Sequence, residues 1–162
     1  MARIFTLTAE GMALDNTVRG DLLVIQAGAD RPFIVRRVEI TQRTMDNATR
    51  FRSRLVRRST ADTTSSAGGT VGVSKAQKSS AAAGFTATMN RVAAPPTLGT
   101  EAGVLGIGAQ SLPNGVLYLP TPDELWMFCG TADYFCVEMP AIHGVTSTTV
   151  TFDVLAVLEE FC

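Results

Sequence analysis

The 162-residue chain predicts an all-β fold: an antiparallel β-sandwich of jelly-roll type, with about eight strands and long surface loops. Three observations point there. Thr, Val and Ser are abundant while lysine is reduced to Lys75 and Lys78. Short runs of alternating apolar and polar residues recur, with turn residues closing each one. The connections between runs are long and uneven, which suits a sandwich better than a meander barrel. One domain spanning 1–162 is expected, and at this size folding buries roughly 70% of the extended chain's surface. A core of that size needs no metal or disulfide to hold it.

The first run, ARIFTLTAEGMAL, sets Ile4 and Thr6 against Phe5 and Leu7, a strand with both faces partly covered. DLLVIQAG is a short apolar strand closed by Gly28. RPFIVRRVEITQR places Ile34, Val38 and Ile40 on one face, with Arg36 intruding, and Phe33, Val35, Arg37 and Glu39 on the other. In TRFRSRLVRRST, Arg52, Arg54 and Arg58 share a face while Phe51 and Leu55 point the other way. The segment 61–84, rich in Thr, Ser, Gly and Ala, lacks the large apolar side chains that build core and reads as a long loop or arm. FTATMNRVA is a short strand. The stretch 93–114, with Pro95, Pro96 and Pro113, reads as a second irregular excursion. GVLYLP, ELWMFCG, DYFCVEMP and TSTTVTFDVLAVLEEF complete the strands.

Within GVLYLPTPDELWMF, Pro120 and Pro122 cannot donate to a ladder, so the chain is expected to leave one sheet there and reach another by a stiff elbow. Asp123 and Glu124 keep that elbow wet. Leu125, Trp126 and Phe128 are expected to re-enter the core.

Chemistry is sparse. GGTVGVSK lacks the order of a phosphate loop, and GVLGIGAQ has the reverse spacing of a dinucleotide fingerprint. His143 is the only histidine and lies in a turn-like PAIHGVTST, with no nucleophile-elbow motif to partner it. Asp123 and Glu124 are adjacent, so on a strand they diverge and make a poor acid–base pair. Cys129, Cys136 and Cys162 lack paired spacing. Neither an enzyme activity nor a metal or cofactor is expected. MARIFTLTAEG has no long apolar region, so neither a secretory signal nor a membrane contact is expected, and folding in a cytoplasm is.

Charge is segregated. Fourteen basic and fifteen acidic residues leave a net −1, yet nine arginines fall between Arg31 and Arg58, and no Lys or Arg follows Arg91. Glu101, Asp123, Glu124, Asp133, Glu138, Asp153, Glu159 and Glu160 occupy the C-terminal part. The planar fork of arginine suits bidentate contacts with carboxylates or phosphates. Three readings of the arginine strand stand: a solvated face, a nucleic-acid surface, or a basic face that meets an acidic face of a neighbouring subunit or other protein. The missing interleaved aromatics weaken the second, and the near-zero total charge favours the third.

The order of ARIFTLTAEGMAL, FIVRRVEITQR, the arginine strand, a Gly/Ser/Thr loop, GFTATMN, YLPTPDE and a final strand ending LEEF resembles small jelly-roll proteins encoded among tailed-bacteriophage head genes. The resemblance covers most of the chain as an order of segments, and YLPTPDE is its distinctive part. It implies a structural virion protein on the capsid exterior: a decoration or cement protein that binds the major capsid protein lattice as a homotrimer and bridges capsomers, without nucleic acid. Interface candidates are Arg52, Arg54, Arg57 and Arg58 for inter-subunit pairing, with Pro120, Pro122, Asp123 and Glu124 at the elbow. The alternative is a receptor- or carbohydrate-binding jelly-roll module of a phage fibre or tail. That role needs an exposed aromatic platform, whereas Tyr118, Trp126 and Tyr134 lie in runs expected to be buried.

Overall fold

The computed structural model describes residues 2–14, 20–43, 51–60, 71–77, 81–89, 99–110, 115–122, 125–139 and 150–161. They form eleven strands and no α-helix: β1 (Arg3–Leu14), β2 (Gly20–Gln26), β3 (Phe33–Gln42), β4 (Phe51–Arg58), β5 (Gly72–Lys75), β6 (Thr86–Thr88), β7 (Glu101–Gln110), β8 (Val116–Tyr118), β9 (Met127–Phe128), β10 (Tyr134–Met139) and β11 (Val150–Glu160). Two antiparallel sheets pack together as a β-sandwich. Sheet A has the order β5-β1-β11-β3-β8, with β9 also on β3, and sheet B the order β6-β2-β10-β4-β7.

The first four strands alternate between the sheets, and the last two then fill the gaps: β11 lies between β1 and β3, and β10 between β2 and β4. Side chains of the C-terminal strands therefore stand beside those of the N-terminal ones. This placement later decides where the segregated charges go.

Strict alternation builds the core from β11, where Phe152, Val154, Ala156 and Leu158 are buried, and from β1, where Phe5, Leu7 and Ala9 are. Sheet B answers with Leu23, Ile25, Leu55, Phe135, Val137 and Met139. A run of rings crosses the interior: Phe5 meets Phe85 edge-on at 5.3 Å, Phe85 meets Phe33 at 6.0 Å, Phe33 stacks on Phe128 at 5.1 Å, and Phe128 meets Phe135 edge-on at 5.6 Å.

Two β-bulges alter the expected faces. On β1, Glu10 and Gly11 together oppose Asp153. Gly11 takes the left-handed region at φ 64, and its N–H donates to Asp153 Oδ1 at 2.7 Å. On β3 the register shifts between Val35 and Arg37. The bulge turns Phe33, Val35, Val38 and Ile40 inward and leaves both Arg36 and Arg37 exposed. A strict period of two set Arg36 among the apolar residues; the extra residue removes that conflict.

The loop expectations also change. Within 61–84, β5 adds an edge strand to β1. Within 93–114, β7 runs for 10 residues along the arginine strand. Its Gly-rich, nearly uncharged sequence carries a weak strand signal because the strand sits at an edge and is bulged twice against β4.

The proline elbow does not carry the chain between sheets. β8 and β9 both run antiparallel to β3, β8 beside Val38–Ile40 and β9 beside Phe33–Ile34. Between the two pairings lie only residues 35–37 of β3, where β3 is itself bulged. β8 and β9 thus form the two parts of one interrupted edge along β3.

Candidate functional site

Most of the arginine stretch finds its partners inside the chain. β4 lies between β10 and β7, so its outward side chains face the carboxylates of those strands. Arg54 Nη2 donates to both oxygens of Glu101 at 2.9 and 3.0 Å, and its Nη1 to Glu138 at 3.1 Å. Arg58 Nη2 donates to Asp21 at 2.8 Å and to Glu138 at 2.7 Å, and its Nη1 pairs with Asp21 as well. Arg58, Asp21 and Glu138 are almost wholly buried, on the side of sheet B turned away from sheet A. A small apolar cluster of Val24, Val56 and Cys136 lies on that same side, apart from the main core. The cluster of charges ties β2, β10, β4 and β7 together.

Arg57 points to the other side of β4 and closes the end of the sandwich. Its Nε and Nη2 donate to the two oxygens of Asp133 at 2.7 and 2.5 Å, and Asp133 also accepts the Cys129 N–H at 3.0 Å. The guanidinium lies 5.3 Å from the Phe128 ring centroid and 5.9 Å from that of Trp126. The hydrogen bond to Asp133 raises the Arg57 pKa above its ordinary value, against the opposing effect of burial.

Three of the four arginines expected to pair between subunits find carboxylates within their own chain. Arg54, Arg57 and Arg58 pair with Glu101, Glu138, Asp133 and Asp21 of their own chain, and Arg58 could reach another subunit only by opening sheet B. Arg52 is exposed and has no ion pair among the described residues. The same holds across the molecule: Arg36 pairs with Glu159, and Arg43 with Asp153 and Glu10. Among the described residues Arg36, Arg43, Arg54, Arg57 and Arg58 each meet a carboxylate from the C-terminal part of the chain, which the insertion of β10 and β11 between the early strands brings beside them.

The surface left over is the seam where β7 of sheet B meets β8 and β9 of sheet A. Among the described residues seven large apolar side chains are exposed, and five lie here: Leu119 at 60%, Leu117 at 53%, Met127 at 49%, Trp126 at 39% and Val104 at 38%. The seam is closed by aromatic rings laid on glycines. A Cβ on Gly106 would sit 3.2 Å from Tyr118, and one on Gly103 would sit 3.6 Å from Trp126. Gly103 and Gly106 of GVLGIGAQ thus each admit an aromatic ring. Between β7 and β8 a crevice of about 90 Å³ opens, lined by Val38, Ile40, Leu55, Gly106, Val116 and Tyr118 among others.

Pro122 is exposed and Pro120 half-buried in the corner beside this seam; Asp123 and Glu124 fall outside the described residues. Trp126, expected in the core, is exposed, while Phe128 is buried as expected. Sequence reading missed the seam because it weighed charge where charge was present. The informative signal was its absence: no charged residue occurs from Ala102 to Pro122.

No group of metal-ligating side chains occurs among the described residues, and no helix there is long and apolar enough to cross a membrane. His143 and Cys162 fall outside the described residues; Cys136 is buried and Cys129 exposed. No protein-family model, no curated protein and no solved structure matches this chain.

Proposed function

We propose that this is a structural virion protein of the jelly-roll type, a decoration or cement protein on the exterior of a tailed-phage head. It binds the major capsid protein lattice as a homotrimer, bridges adjacent capsomers and carries out no reaction. The strand order supports the jelly-roll reading. β1-β11-β3-β8 opposite β2-β10-β4-β7 is the alternation that winding two Greek keys into two sheets requires.

The observation that carries the reading is the seam. Among the described residues the sandwich pairs most of its arginines internally and places five of its seven exposed large apolar side chains along one edge, which is how a protein that acts by contact presents itself. Each contact with a capsomer is modest, but a copy touching two or three of them gains from the high effective concentration on the lattice, so many weak clamps resist expansion together.

The test is a titration of expanded heads that lack decoration with the purified protein, counting bound copies per capsomer. Saturation at a fixed small number per capsomer supports the reading; no binding at any ratio overturns it. One observation favours a second reading, a carbohydrate-binding module of a fibre or tail. Trp126 is exposed and offers the aromatic surface such a module needs. Retention on a glycan array, lost in Trp126→Ala and without head binding, would decide for it.

A further inference from the structure

We infer that the β7–β8–β9 seam is the surface through which copies of this protein bind one another. In this contact the proline corner of one copy, led by Leu119, enters the crevice between β7 and β8 of the next. The inference deepens the preceding reading, which calls for a homotrimer without saying what holds it.

Three features single out a second copy as the occupant. First, a surface that meets its own kind brings like charges together, and the strands of this one carry almost none to bring; by sequence only Asp123 and Glu124 charge the corner. The described residues of 102–122 and 125–132 contain no charged side chain, where the chain's average of 18% would place about four. A surface fitted to a partner of opposite charge would be rimmed by unneutralised charge, yet Arg36 and Arg37 beside the corner are already paired with Glu159 and Glu39. Second, knob and hole lie side by side. Leu119 protrudes at 60% exposure next to a crevice of about 90 Å³, three waters' worth at ~30 Å³ each and close to a leucine side chain in size. Third, the size fits. The exposed apolar side chains offer on the order of 400 Å² per copy, within the range of functional patches on monomers. That is about half of the ~800 Å² each partner gives to a standard interface, so the corner and the β7 backbone supply the remainder.

The opposite seam shows what an edge not used in this way looks like. There β5 and β6 carry Ser74, Lys75, Thr86 and Thr88 beside a single exposed large apolar side chain, Val73, and both strands are short.

The test is sedimentation of the full chain without capsids, in three forms: wild type, Leu119→Asp, and Val73→Asp on the opposite seam as a control. Leu119 is exposed, so its variant should keep the wild-type melting temperature. Wild type and Val73→Asp should associate alike, and Leu119→Asp should associate at least about tenfold more weakly. A photo-cross-linker at position 119, in an isotope-mixed sample, should join peptides of β7 or β8 from the other isotope. A wild type that stays monomeric, a Leu119→Asp variant that associates normally, or cross-links confined to one chain would overturn the inference. Because heads are absent, that result leaves the head titration to be judged on its own. A dimer would support the seam contact and contradict the threefold form.

Discussion

The charge pairs of β3 and those of β4 are built from the same groups, guanidinium and carboxylate, and differ in what surrounds them. On β3, Arg36 and Arg37 reach Glu159 and Glu39 across an exposed face, where water screens the pairs and holding two long side chains together costs entropy. On β4, Arg58 is closed off from water with Asp21 and Glu138, so each member depends on the others to offset its own desolvation. The difference teaches that an arginine-rich stretch is not by itself a binding surface. In this fold the buried charges tie the strands of sheet B together, and five of the seven exposed large apolar side chains among the described residues lie on the seam.

The largest expected effect comes from breaking the buried pair. Arg58→Ala leaves Asp21 and Glu138 buried without their cation and should lower unfolding free energy by about 3–5 kcal/mol, read from denaturant melts. Arg36→Ala in the same assay should cost no more than about 1 kcal/mol. Equal losses at the two sites would erase the distinction between the faces.

An intermediate effect is expected at the end of the sandwich. Asp133→Ala removes two charge-assisted hydrogen bonds to Arg57 and the one from Cys129, and should cost about 2–3 kcal/mol in the same melts. Freed of its carboxylate, Arg57 should also loosen its hold on Trp126, seen as a shift in tryptophan emission.

Gly106→Ala should be milder, at about 1 kcal/mol, because Tyr118 must give way by a few tenths of an ångström. Gly103→Ala should be nearly neutral, since Trp126 lies at ordinary contact distance there.

The smallest effect concerns pH. The hydrogen bond to Asp133 raises the Arg57 pKa above that of a free guanidinium, so its contribution is complete at every pH below the ordinary guanidinium range and is lost only at more alkaline pH. Stability measured between about pH 7 and 10 should therefore show no step from this residue. A loss of stability across that range in wild type, absent in Arg57→Met, would contradict the assignment.

Much of the architecture was legible where a strand obeys strict alternation. The alternation of β1 and β11 sorted Phe5 and Leu7 from Ile4 and Thr6, and Phe152, Val154 and Ala156 from their neighbours, the sets that the sandwich buries, and the β-branched run before AVLEEF correctly weighed against a helix there. The arginine strand was legible as geometry, since Arg54 and Arg58 do share a face opposite Leu55. Its surroundings were not, because burial of Arg58 depends on Asp21 and Glu138, which are distant in sequence and meet it only through strand order. A bulge is one residue of irregularity that no periodic pattern announces, so the inward face of β3 was misread. β7 went unseen because glycine, the residue that admits Tyr118 and Trp126, also lowers strand propensity. Trp126 was placed in the core on hydrophobicity alone, whereas the chain returns at a sheet edge, where Phe128 is buried and Trp126 is exposed.

The most direct measurement of the central claim, that this molecule acts through an uncharged β edge and not through its charged faces, compares occupancy on decoration-free heads by electron cryomicroscopy. Wild type and Arg36→Ala should fill the same sites to the same extent, while Leu119→Asp, equally stable in solution, should leave them largely empty. Full occupancy by Leu119→Asp, or loss of occupancy in Arg36→Ala alone, would contradict the account.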